Sequence, residues 1–143
     1  MPSSFPTVSV VIPTYNREIF LSRALMSVVD QSFTSWEAIV VDNHSEDNTE
    51  QVIQNFKDPR IKLFKIQNRG IIAASRNFGV QASRSNWIAF LDSDDWWSPK
   101  KLERSLKFLN SGADIVYHDL FIVKKEEQKY FWKRAKTFQV CKP

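Results

Sequence analysis

Three carboxylates arrive together at the end of an apolar run: Trp87-Ile88-Ala89-Phe90-Leu91 leads into Asp92-Ser93-Asp94-Asp95, and Trp96-Trp97 follow. An apolar strand that ends in acids is a poor way to build a core and a good way to hold a hard divalent cation. Mg²⁺ and Mn²⁺ take oxygen ligands, and a site with one or two protein carboxylates leaves the remaining positions to water and substrate phosphates. The alternation Asp92-Ser93-Asp94 therefore suggests a metal-bridged diphosphate, with Mn²⁺ or Mg²⁺ as cofactor. The ordinary alternative is a helix N-terminus, because acids beside Ser98-Pro99 would favour a following helix through its dipole. Capping accounts for one acid and leaves two unexplained.

Such a loop needs a scaffold, and the chain supplies one. Val8-Ser9-Val10-Val11-Ile12 is a β-branched run stopped by Pro13, and Leu21, Ala24, Leu25 and Val28 then recur at helical spacing from about residue 19 to residue 30. Trp36 to Val41 is a second apolar strand. Asp47 and Glu50 have the spacing of a capping box before a second helix that Asp58-Pro59 ends. Arg60 to Ile66 reads as a third strand, and Ile71, Ala74, Phe78 and Ala82 mark a third helix. After the acidic loop, Ser98 as N-cap and Pro99 at the first helical position introduce a fourth helix with Leu102, Leu106 and Leu109 on its buried side. Residues 114–123 read as extended, 124–129 as a turn, and Tyr130-Phe131-Trp132 as a return strand. Alternating strands and helices imply an α/β fold, a mostly parallel sheet with helices on both faces. Ligands bind such sheets beyond the carboxyl ends of the strands. The unusual polar clusters all follow strands, at residues 14–17, 42–47, 68–70 and 92–95, so four loops are expected to converge on one cleft.

Composition sets the bounds. With 143 residues, 43% of them hydrophobic and 25% charged, the chain fits one domain, and three glycines argue against a low-complexity chain. The net charge of +4 suits an anionic substrate and separates few classes. Cys141 stands alone, the N-terminus lacks the pattern of a secretory signal, and no apolar run approaches the roughly 20 residues that span a bilayer. A cytoplasmic protein is expected, with any membrane contact peripheral, at the inner face.

The chain resembles the family-two glycosyltransferases, whose nucleotide-sugar-binding half has the A-type, Rossmann-like fold. The resemblance covers about residues 8–123 and rests on Val-Ile-Pro-Thr-Tyr-Asn-Arg (11–17), Val-Val-Asp-Asn-His-Ser-Glu-Asp (40–47), Ser-Arg-Asn-Phe-Gly (75–79) and Phe-Leu-Asp-Ser-Asp-Asp (90–95). It implies that Pro13, Thr14, Tyr15 and Arg17 lie at the nucleoside side, that Asp42 and Asn43 face the base and ribose, and that Arg76 lies near the diphosphate. It further implies that Asp92 and Asp94, with Ser93 between them, form the metal and ribose signature, with Asp95 beside them as a further ligand. Family members often carry two consecutive acids where this chain has Asp42-Asn43, and the amide of Asn43 can still accept a pyrimidine N–H without charge. Each residue has an ordinary alternative: Tyr15 as packing, Asp42 as an Asx-turn, Arg76 as a solvated helix residue, and one of Trp96 and Trp97 as core beneath the loop. His44 and His118 read as loop or strand-end residues.

The implied reaction transfers a sugar from a nucleotide-diphosphate donor, a UDP-sugar first, to an acceptor hydroxyl with inversion at the anomeric carbon. Cell-envelope polysaccharide synthesis is the setting the family suggests. The catalytic base is unknown; of the later acids Glu103, Asp114, Asp119, Glu126 and Glu127, Asp119 is the one that could face the cleft. Residues 1–143 are expected to form a single, truncated donor-binding domain whose basic, aromatic end, 124–143, begins an absent acceptor half. That end leaves peripheral membrane contact and self-association open as partners, and no nucleic acid is expected. Nucleotide binding without turnover, and an interaction protein using that end, are the competing readings.

Overall fold

The computed structural model describes residues 5–118, together with the backbone of 121–126 and 129–134. Ten elements follow in order: β1 (Val8–Thr14), α1 (Glu18–Val29), β2 (Trp36–Asp42), α2 (Thr49–Asn55), β3 (Ile61–Lys65), α3 (Ile72–Ala82), β4 (Trp87–Phe90), α4 (Lys101–Asn110), β5 (Phe121–Glu126) and β6 (Lys129–Arg134). The chain divides into two compact units, Met1–Leu102 and Glu103–Pro143. Among the described residues no helix is long and apolar enough to cross a membrane.

In the first unit the four strands form one parallel sheet in the order β3-β2-β1-β4. Its centre is the pair β1 and β2, buried along their whole length, which is why both read as continuous apolar runs. Register is level at the carboxyl end, where Thr14 stands beside Asp42 and Asp42 beside Lys65. α1 buries Leu21, Ala24, Leu25 and Val28, the stripe the sequence predicts. α1 and α2 pack together while α3 packs on β1 and β2, and right-handed crossovers put the two groups on opposite faces.

Two features hold this arrangement. At Gly79 an added Cβ would lie 2.3 Å from Val11 Cγ1, so only glycine lets α3 lie this close to β1. At the amino end of the sheet Glu37, 1% exposed, gathers Ser9 Oγ (2.8 Å), Lys62 Nζ (2.9 Å) and the Arg84 backbone and guanidinium (2.9 to 3.0 Å). Burial alone would raise its pKa, and these donors outweigh it and bring the carboxyl down to about 2.

Several boundaries differ from expectation. α4 starts at Lys101 instead of following Ser98 as N-cap, because residues 98–99 are held from outside the helix: Gln31 Nε2 donates to the Ser98 carbonyl at 2.8 Å and the Ser32 N–H to the Pro99 carbonyl at 2.8 Å. α2 starts at Thr49, with Asp47 accepting the Thr49 N–H at 3.1 Å; Glu50 pairs with Lys65 instead of closing a capping box. In the second unit β5 and β6 form an antiparallel hairpin from Phe121↔Arg134 to Glu126↔Lys129, so the strands reach further into the expected 124–129 turn. His118 Nε2 lies 2.8 Å from Ser105 Oγ. Asp119, Glu127 and residues 135–143 lie outside the described residues.

Candidate functional site

The sheet reverses its build direction between β1 and β4. The chain moves outward from β1 to β2 to β3, then returns to the other side of β1 with β4. At such a switch point the two neighbouring loops diverge and leave a crevice at the carboxyl edge. A cavity of about 340 Å³ lies there, lined by Pro13, Thr14, Tyr15 and Arg17 after β1 and by Asp92, Ser93 and Asp94 after β4, with Asn68 and Ile72 between. A second cavity, of about 460 Å³, shares Tyr15 and is otherwise lined by Asn43, His44, Gln67 and Arg69. Tyr15, 52% exposed, forms a wall of both and is free of core packing.

The walls are laced to one another. The Asn16 N–H donates to Ser45 Oγ and Asn16 Oδ1 accepts the Glu46 N–H, both at 2.8 Å. Asp47 accepts the Glu18 N–H at 3.0 Å and Glu18 accepts the Asn48 N–H at 2.8 Å, so each loop supplies an acceptor to the first turn of the other's helix. Asn16, His44 and Arg69 carry positive φ of 49°, 55° and 53°, a bend these cross-links sustain at non-glycine residues.

On the β4 side Arg76 Nη2 lies 2.6 Å from Asp92 Oδ1. α3 aims it: Ser75 is buried and accepts Asn68 Nδ2 at 2.9 Å, Phe78 packs edge-on against Phe64 at 5.4 Å, and Gly79 seats the helix on β1. The Ser-Arg-Asn-Phe-Gly stretch thus has a packing reason at every position but Asn77. Thr14 Oγ1 and Arg76 Nε are buried and find no hydrogen-bond partner among the described residues. Orphaned polar atoms at a crevice mark groups that a bound polar ligand would satisfy.

Metal chemistry was tested on the acids themselves. Among the described residues no group of three or more His, Cys, Asp or Glu side chains is arranged as a closed metal site. The donor set fits the open kind, in which substrate phosphates complete the shell. Asp92 and Asp94 line the cavity, and Asp95's carboxyl is pushed above its ordinary value by burial and by the neighbouring charges of Asp94 and Asp92, crowding that a cation relieves. Arg23 holds the loop from α1, donating to the Asp94 carbonyl at 2.9 Å and lying 3.8 Å from the centre of the Trp96 ring. Burial pulls the Lys101 ammonium down to about 8, against the opposing charge of Asp95.

The cavities therefore gather Pro13, Thr14, Tyr15, Arg17, Asn43, Asp92, Ser93 and Asp94. Asp42 is 1% exposed and turned inward, accepting the Ser45 N–H at 3.1 Å on both oxygens. Arg76 reaches the site through Asp92, and Asp95 stands beside the loop. Neither tryptophan is core: Trp96 is 39% exposed, and Trp97 lies half-buried with Lys101 Nζ 5.1 Å from its ring centre. Arginine from α1 and lysine from α4 claim those ring faces, which the local sequence could not reveal. Gln67, Asn68, Arg69, Ile72 and Arg23 were not singled out as site residues, and only the polar cluster at 68–70 hinted at them.

Residues 9–141 match the family model described as glycosyl transferase family 2. The putative teichuronic acid biosynthesis glycosyltransferase TuaG of Bacillus subtilis is 38% identical over 106 residues, 73% of this chain and 42% of its own. The UDP-Glc:alpha-D-GlcNAc-diphosphoundecaprenol beta-1,3-glucosyltransferase WfgD of Escherichia coli is 38% identical over 117 residues, 81% of this chain and 46% of its own. The chain thus spans less than half the length of these curated relatives. Among solved structures, S. aureus TarS 1-349 in complex with UDP superposes with a TM-score of 0.70 at 28% identity, over 73% of this chain and 32% of that one. The mannosyltransferase PcManGT of Pyrobaculum calidifontis, in complex with GDP-Man and Mn²⁺, shares the fold at 24% identity and a TM-score of 0.67, over 76% of this chain and 33% of that one. A level parallel sheet, a crevice at its switch point and a family match over nearly the whole chain lead to one assignment: the chain belongs to glycosyl transferase family 2, with the A-type fold.

Proposed function

We propose that this chain binds a nucleoside-diphosphate sugar, a UDP-sugar foremost, across the two cavities and serves its transfer with inversion to an acceptor hydroxyl. The observation that carries the reading is the crevice between β1 and β4, where the wall from Pro13 to Arg17 faces Asp92, Ser93 and Asp94. TarS, 28% identical, is seen with UDP, and 27% identical with UDP-GlcNAc; WfgD is named for a UDP-glucose donor and a diphosphoundecaprenol-linked acceptor. These likenesses support a nucleotide-sugar donor and a setting in cell-envelope polysaccharide synthesis.

In this reading the nucleoside lies along Tyr15 and Asn43 and the diphosphate lies toward Thr14, Arg17 and Arg76. Asp94, with Asp92 and Asp95 beside it, would hold Mn²⁺ or Mg²⁺, which supplies Lewis-acid neutralisation of the departing diphosphate. Arg76 orients Asp92 and offers its guanidinium to phosphate oxygens, for which its planar fork is suited. Thr14 Oγ1 offers a hydroxyl bond to the ligand. A displacement with inversion needs a carboxylate to take the acceptor's proton on the face opposite the nucleotide.

Calorimetric titration of the full chain with UDP, with and without Mn²⁺, tests the reading. Binding that requires the cation and falls by about a hundredfold in Asp94→Ala, with unchanged circular dichroism, is the expected result. Tight binding indifferent to both the metal and the substitution would refute it.

A further inference from the structure

With Asp42 withdrawn onto Ser45, the residue that β2 presents to the nucleoside-side cavity is Asn43. Its backbone N–H donates to the Thr14 carbonyl at 3.0 Å, and its Oδ1 accepts the Asn68 backbone N–H at 2.8 Å. The second bond fixes which way round the amide lies. Turned over, Nδ2 would point its hydrogens at the Asn68 N–H, donor against donor. Oδ1 retains a second lone pair, and Nδ2 makes no hydrogen bond to any described residue. An acceptor and a donor therefore stand side by side, in an order set by the loop after β3.

Resting on the donor reading above, we propose that Asn43 selects the base of the donor by reading a lactam edge, a ring N–H beside a carbonyl. Oδ1 accepts the ring N–H, and Nδ2 donates to the adjacent carbonyl oxygen. Uracil and thymine carry this edge at N3 and a flanking carbonyl, and guanine carries it at N1 and O6. Cytosine in the same register presents a bare N3 lone pair to the Oδ1 lone pair, which is repulsive. A carboxylate at this position could accept the N–H and could not donate to the carbonyl. The amide replaces a single charged contact by two neutral ones.

The test is calorimetric titration of the full chain, in Mn²⁺, with UDP, CDP, 2-thio-UDP and 4-thio-UDP, for the native protein and for Asn43→Asp. That substitution keeps an acceptor for the Asn68 N–H and so keeps the loop. CDP is expected to bind about tenfold more weakly than UDP to the native protein, and one thio analogue about fivefold more weakly, since sulfur is a poor acceptor. The thio penalty is expected to vanish in Asn43→Asp, which has no donor to lose. CDP binding as well as UDP, or the same thio penalty in both proteins, would overturn the proposal while leaving the donor reading intact. Failure of every nucleotide to bind would overturn both.

Discussion

Arg76 and Asp92 illustrate how little of a residue's role lies in its own exposure. Both side chains are more than a third exposed, so their ion pair at 2.6 Å contributes well under about 1 kcal/mol to stability. Its worth is positional, because the pair sets a carboxylate and a guanidinium on the same side of the crevice. Arg76→Ala is therefore expected to leave the melting temperature almost unchanged and to weaken UDP binding in Mn²⁺ by about tenfold. Arg76→Lys should recover part of the affinity through charge and miss the paired geometry. Thermal melts and calorimetry on the same preparations separate the two effects. A large drop in melting temperature with unchanged affinity would assign Arg76 to structure instead.

Among the elements, α3 is the one whose placement the site depends on most. It carries Ser75, Arg76 and Phe78, and its approach to β1 is set by the contact between Gly79 and Val11. Alanine at position 79 would improve helix propensity by about 1 kcal/mol and force a buried valine to move. Overpacking is expected to win, with Gly79→Ala destabilising by about 1 to 3 kcal/mol in urea unfolding. Because the shift would be felt at Arg76, UDP affinity should fall as well. A stabilised Gly79→Ala protein would mean that the helix slides at no cost.

At the scale of the whole sheet, its two ends do opposite work. The carboxyl end leaves polar groups open to a ligand, while the amino end ties Glu37 to Ser9, Lys62 and Arg84 so that every strand of the centre is pinned. Glu37's carboxyl is held at about 2, below its ordinary 4.5, so the unfolded chain binds the proton more readily. The resulting stability is fully present above about pH 5 and is lost as pH falls toward 2, up to about 3 kcal/mol. Glu37→Gln is expected to be less stable at neutral pH and to show a flatter stability profile between pH 5 and 2.5, followed by urea midpoints. Parallel profiles for the two proteins would remove Glu37 as the source of acid sensitivity.

The sequence by itself determined the order of strands and helices, because apolar runs of β-branched residues and stripes at helical spacing bury themselves in only one way. It also determined which loops carry the chemistry, since polar clusters directly after buried strands fall at the carboxyl edge of a parallel sheet. Pro13 to Arg17 and Asp92 to Asp94 were legible on that ground, and they face each other across the crevice. What only the tertiary structure decided were the partners of single polar atoms. Asp42 turns onto Ser45, Asn43's oxygen meets the Asn68 N–H, Arg76 meets Asp92, and the Ser98 carbonyl is taken by Gln31. Between 3 and 67 residues separate those partners along the chain. A hydrogen bond has a reach of about 3 Å, so its two ends are chosen by how the elements pack and by nothing local to either residue.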